Sequence, residues 1–229
     1  MFFPVPTKIT GGPSRRVPPL ANSLLIAVNV FCWGFGVSAN WGVGAGSSPI
    51  TILTYAFVHA GPLHLLANMW VLYLFGNAVN HRIGNTLYLV SYLGIAILLG
   101  LFARIFSSGL LIGASGAIYG VIAMATLLLA GTRVVLHYVA VFPVTLLVGL
   151  ACKPRHGLDW ILRWDHFSFR TLYAIALVPF LEIWGLWRWW SLLGVVSWTH
   201  LGHLFGFFVG IAAVLCLPLR VSMRMQAMT

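Results

Sequence analysis

The 229-residue sequence predicts an all-α polytopic membrane protein, a bundle of six transmembrane helices with one extra re-entrant or interfacial segment on the inner side. Three observations carry that prediction. Hydrophobic residues make up 60% of the chain and charged residues 7%, with a mean hydropathy of +0.96, well outside the range of soluble globular proteins. Apolar stretches of roughly 20 residues, the length that crosses a bilayer core as a helix, recur at about 20–40, 62–80, 86–106, 114–132, 171–193 and 199–219. The formal net charge of +10 comes from basic residues in the connections and ends, where they set orientation in a membrane. That distribution speaks for a lipid bilayer as partner and against nucleic acid.

Residues 1–19 hold Lys8, Arg15, Arg16 and several prolines and glycines, and read as a basic, irregular cytoplasmic tail. They show no short apolar run followed by a small-residue cleavage site, so the first span is expected to be retained. Trp41 to Pro49 is rich in Gly and Ser and reads as an outer loop. Ile52 to Pro62 is half apolar and is expected to lie along the membrane surface before the chain turns back.

In the second span His64 and Asn68 stand four residues apart, on one helix face. Two polar side chains facing lipid would be costly, so that face is expected to look into the protein or a wet cavity. The span ends at Asn80-His81-Arg82, on the inner side. The third span runs out to Arg104–Gly109, and the fourth starts with Ser115 and closes at Arg133 on the inner side.

Val134–Ala151 contains Pro143 and is apolar. If it crossed, Lys153, Arg155, Arg163 and Arg170 would all lie outside, against the positive-inside tendency. It is therefore expected to dip into the inner leaflet or lie on it, with Cys152–Phe169 as a basic cytoplasmic loop. The predicted organisation is a tail over 1–19, a membrane domain over 20–219 with a cytoplasmic insertion at about 134–170, and a short cytoplasmic tail over 220–229. Both termini then face the cytoplasm of a multi-pass protein of the cell membrane. Cys32, Cys152 and Cys216 are few and odd in number, and read as packing residues, not a disulfide framework.

The chemistry centres on Gly113-Ala114-Ser115-Gly116-Ala117-Ile118-Tyr119-Gly120. Small neighbours leave the serine hydroxyl uncovered, and Gly116 with Gly120 forms a G-x-x-x-G pair that admits a close partner helix. The last span supplies a second pair, Gly206 and Gly210, and carries His203 at the predicted depth of Ser115. A serine and an imidazole on two glycine-lined helices can reach hydrogen-bond distance, as nucleophile and base. Acyl transfer also needs donors for the oxyanion; His64, Asn68 and the backbone N–H groups at the start of the Ser115 helix could supply them. Tyr119, one turn below Ser115, is placed to pack against the imidazole.

The acids number three, Asp159, Asp165 and Glu182. The first two fall in the inner loop, and none is expected beside the pair, so the prediction is a Ser115–His203 dyad. A metal shared by His200 and His203 with His59 or His64 is the rival chemistry, but no H-E-x-x-H is present, and neither metal nor cofactor is expected. Trp184, Trp187, Trp189 and Trp190 with Arg188 read as an interfacial aromatic belt.

These residues resemble the rhomboid intramembrane serine proteases. Leu53 to Met69, with His64 followed by Asn68, is similar to the second-helix motif; Gly113-Ala114-Ser115-Gly116 to the G-x-S-G nucleophile motif; Tyr119 to the tyrosine that stacks on the histidine; and His203 to Gly210 to the H-x-x-G-x-x-x-G last helix. The resemblance implies a rhomboid-like bundle whose substrates are transmembrane proteins. It implies Ser115 as nucleophile, His203 as base, and His64, Asn68 and backbone groups around Gly113 and Ser115 as the oxyanion site. His200 is the poorer match for the base, because no glycine stands three residues after it. Asn80 stands where the family often has glutamate. The rival classes are a rhomboid-like protein that binds transmembrane helices without cutting them, and a small pore or transporter.

Overall fold

The structure, a computed structural model, describes residues 2–11, 17–141, 144–145 and 156–217. Strand β1 (Phe2–Thr10) precedes helix α1 (Leu20–Gly34). Helix α2 (Thr51–Thr54) continues into a 3-10 turn over Tyr55–Phe57. Pro62 then opens α3 (Pro62–Val71) at the first helical position, where a missing N–H costs nothing. A π turn over Leu72–Gly76 leads into α4 (Asn77–Ile83). The Thr51–Phe57 piece meets Pro62–Ile83 at a 95° bend, so the half-apolar stretch runs crosswise to the helix that follows. Gly84, at φ 85°, makes the turn into α5 (Asn85–Phe106).

Beyond α5 come α6 (Ser115–Leu128), β2 (Arg133–Val141), β3 (Leu162–Arg170), α7 (Ala174–Leu193) and α8 (Trp198–Leu215). Among the described residues, α5 and α8 are long and apolar enough to cross a membrane, and the bent pair would make a third span. Helices α1 and α6 are apolar but only 15 and 14 residues long. Length and composition therefore carry two or three spans, fewer than the six expected from the sequence.

Helix α6 is the centre of the bundle. Ten of its residues are buried, from Gly116 to Leu128, the pattern of a helix enclosed by its neighbours. Its contact with α8 is backbone to backbone. A Cβ on Gly206 would lie 2.0 Å from the Gly116 carbonyl oxygen, and one on Gly210 would lie 2.2 Å from that of Gly120. Helix α5 closes on the same place: a Cβ on Gly116 would lie 2.0 Å from Leu99 Cδ2 of α5 and 3.5 Å from the Gly202 carbonyl oxygen of α8. The two G-x-x-x-G pairs thus face each other, as small residues do where membrane helices approach closely.

A buried amide network joins α1, α4 and α5. Asn22 Nδ2 donates to the Leu72 carbonyl at 3.0 Å and to Asn77 Oδ1 at 2.8 Å, while its Oδ1 accepts from the Tyr88 hydroxyl at 2.6 Å. Asn80 Oδ1 accepts from the Asn22 N–H at 3.1 Å, and Asn80 Nδ2 donates to Asn85 Oδ1 at 3.0 Å. Fully buried polar groups need such partners, and Asn80 is therefore part of the scaffold.

The sheet departs from the sequence expectation. Residues 2–10, expected as an irregular tail, pair antiparallel with β2 from Phe2↔Ala140 to Thr10↔Arg133. Residues 134–141, expected to dip into or lie on the inner leaflet, form the middle strand, and β3 from the expected loop pairs with it from Arg133↔Arg170 to Val141↔Leu162. The apolar run Val134–Val141 is rich in β-branched and aromatic residues, which suit a pleated surface. Backbone pairing with two strands satisfies its polar groups without help from a helix. The remaining parts of 142–155, with Lys153 and Arg155, and the tail 220–229 lie outside the described residues.

Candidate active site

The approach to Ser115 is held at three points. Val43 and Leu111 exchange backbone hydrogen bonds at 2.9 and 2.8 Å, the Gly113 N–H donates to the Tyr55 carbonyl at 2.9 Å, and the buried Tyr55 hydroxyl donates to the Ala96 carbonyl at 2.9 Å. Gly113, at φ 108°, takes a backbone conformation that favours glycine. The turn delivers Ser115 to the first position of α6, where backbone N–H groups lack helical acceptors and the helix dipole is positive.

His203 stands one turn before Gly206 on α8, and its Nε2 lies 2.9 Å from Ser115 Oγ. The close glycine contact makes this distance possible. Tyr119, one turn below the serine, stacks on the His203 ring with centroids 4.1 Å apart and planes 8° from parallel. The sequence expected both neighbours.

His64 and Asn68 meet the serine loop from α3. A Cβ on Gly113 would lie 2.8 Å from His64 Cε1, 2.9 Å from His64 Nε2 and 3.7 Å from Asn68 Nδ2. Gly113 thus contributes space, and its own N–H is committed to Tyr55. Asn68 is buried, yet its Nδ2 has no hydrogen-bond partner among the described residues. A buried donor left unpaired is costly, and Asn68 lines a cavity. The cavity, of about 570 Å³, is lined by His64, Asn68, Ser115, Tyr119, Glu182 and His203 among others.

Glu182 is the residue the sequence reading missed. It and Ala174 are the buried residues of α7, and its carboxylate enters the site from that helix. The Tyr119 hydroxyl donates to Oε1 in a short hydrogen bond. Oε2 lies 2.5 Å from His200 Nδ1 and 3.2 Å from His203 Nδ1. The expectation that no acid lies beside the pair is therefore corrected. The signal was present: Glu182 is the one acid within a predicted span, and an ionisable residue inside a membrane segment is a functional candidate by default.

His200 does not reach the serine; it fits against Gly185, where a Cβ would lie 2.4 Å from its Cε1. With Glu182 and His203 it makes a set of donors within 4.8 Å of one another that could hold a metal ion. His59 and His64, the other partners considered for a metal, pack edge to face at 5.0 Å and are not part of that set. The four tryptophans of α7 are exposed.

A bundle of apolar helices thus brings Ser115, His203 and the unpaired amide of Asn68 to one cavity. A family model for the Rhomboid domain matches residues 46–220, and the chain belongs to the rhomboid family. That family comprises intramembrane serine proteases and pseudoproteases, and with the apolar helices it makes this chain an integral membrane protein. No curated protein matches the chain.

Proposed function

We propose that the protein is an intramembrane serine endopeptidase that cuts peptide bonds in or near transmembrane segments of membrane proteins. The observation that carries this reading is His203 Nε2 at 2.9 Å from Ser115 Oγ, at a helix start that opens onto a cavity. His203 takes the Ser115 proton as Oγ attacks the scissile carbonyl. His64, Asn68 and N–H groups in the first turn of α6 hold the oxyanion. The oxyanion then collapses, the peptide C–N bond breaks and His203 gives its proton to the leaving amine; water entering through the cavity hydrolyses the acyl-enzyme, and these steps call for no cofactor. The proposed setting is a six-span bundle in the cell membrane with both termini cytoplasmic, so that Ser115 and His203 lie in the outer half.

The test is cleavage of single-span membrane proteins co-reconstituted with the protein in proteoliposomes. Cutting by wild type and its loss in Ser115→Ala are expected; binding without cutting would mark a pseudoprotease. A second expected result concerns the unpaired amide. Asn68→Ala lowers kcat by about 10²–10³-fold with little change in KM, the usual cost of one oxyanion donor. A KM effect alone would remove Asn68 from that role.

A further inference from the structure

We infer that Glu182 is the third member of the catalytic group, a positioning residue whose negative charge supports His203. This inference rests on the protease reading above. It departs from the dyad that the sequence and the family resemblance imply.

The geometry puts His203 between its two partners. Nε2 faces Ser115 Oγ at 2.9 Å, and on the opposite edge of the ring Nδ1 faces Glu182 Oε2 at 3.2 Å. The second contact is at ion-pair distance without hydrogen-bond alignment, and Nδ1 has no other partner among the described residues. The carboxylate itself is fixed from both sides. Oε1 accepts from Tyr119, whose ring also stacks on His203, and Oε2 is hydrogen-bonded to His200 Nδ1.

Glu182 is 6% exposed, and an unpaired charge buried there would be strongly unfavourable. Two donors make the ionised form tolerable before the reaction begins, and the third neighbour, His203, is the one whose charge changes during it. In the first step the Ser115 O–H bond breaks and its proton passes to His203 Nε2. Oγ bonds to the carbonyl carbon, and the carbonyl π pair moves onto oxygen. His203 becomes an imidazolium with its proton-bearing Nδ1 toward Glu182. The carboxylate keeps its charge throughout and offsets the positive ring, as the acid of a serine-protease triad does. Tyr119 and His200 thereby act through Glu182, holding it at that edge.

The rival role for Glu182 is purely structural, because α7 is otherwise so exposed that this residue is one of its few anchors. Charge separates the two. Gln keeps the size and the hydrogen-bonding oxygen but loses the charge; Asp keeps the charge.

The experiment measures kcat and KM for wild type, Glu182→Gln and Glu182→Asp on a cleaved membrane substrate in proteoliposomes. Expected is a fall in kcat of about 30-fold or more for Gln with KM held within about threefold, and at least about tenfold higher kcat for Asp than for Gln. Binding of the substrate's transmembrane peptide by Ser115→Ala and by the Ser115→Ala/Glu182→Gln double variant reports folding without catalysis, and equal affinities are expected. A kcat for Gln close to wild type, equal losses for Gln and Asp, or loss of peptide binding in the double variant would each overturn the inference. A wild type that cuts nothing would instead overturn the protease reading.

Discussion

Replacing Gly206 by leucine is expected to break the bundle at its tightest point. Even a single Cβ there would lie 2.0 Å from the Gly116 carbonyl oxygen, and the obstacle is backbone, which cannot rotate aside. Overpacking typically costs about 1–3 kcal/mol where side chains can adjust; with a helix backbone in the way, the cost is expected at or above about 3 kcal/mol. Thermal unfolding in detergent should show a large drop in Tm, with little folded protein recovered. Gly206→Ala is the informative milder case. Gly206 lies one turn from His203, and Gly116 is adjacent to Ser115, so any separation of α6 from α8 also stretches the 2.9 Å contact. Activity is therefore expected to fall further than stability alone accounts for. A Gly206→Leu protein with wild-type Tm would show that the two helices do not meet as described.

His203→Ala is the second large effect. It removes the proposed base, whose Nε2 lies 2.9 Å from Ser115 Oγ, and kcat is expected to fall by about 10⁴-fold or more, since members of such a unit are strongly interdependent. The stacked Tyr119 ring loses its partner at the same time, but the glycine contact that holds the helices is untouched. The Tm is thus expected to change little beside the loss of rate. His200→Ala provides the comparison, because His200 bonds to Glu182 while His203 is the imidazole hydrogen-bonded to Ser115. Steady-state cleavage rates decide between them. If His200→Ala lost the larger share, the base would have to be reassigned.

Much of the candidate site's geometry was legible in the sequence because its parts are local. Ser115 with Gly116 and Gly120, and His203 with Gly206 and Gly210, lie within single helices, where spacing fixes which residues share a face. The second G-x-x-x-G pair then supplied a reason for the two helices to touch. His64 and Asn68 were readable for the same reason, as polar residues on one face of an otherwise apolar helix. Glu182 was less so. Its importance depends on α7 rotating it toward Tyr119, His200 and His203, and no spacing within α7 encodes that rotation.

The sheet was hidden for a different cause. Its middle strand pairs with residues more than 120 positions earlier, as in Thr10 Oγ1 to the Arg133 carbonyl. An apolar run in a chain full of helices offers no local sign that such a partner exists. The structured start of the chain followed the same logic: Lys8 suggested a loose basic tail, while its β pairing with Val135 is set by a distant segment. The number of spans also rests on more than composition, since α1 and α6 are shorter than a bilayer-crossing helix ordinarily is.

The central claim is that Ser115 is a nucleophile activated by His203. The most direct measurement is mass spectrometry of the detergent-solubilised protein after reaction with a fluorophosphonate, with the modified peptide sequenced. One phosphonyl group on Ser115 is predicted, with the adduct absent from Ser115→Ala and strongly reduced in His203→Ala. No adduct on the wild type, an adduct on another residue, or equal modification in all three proteins would contradict the claim.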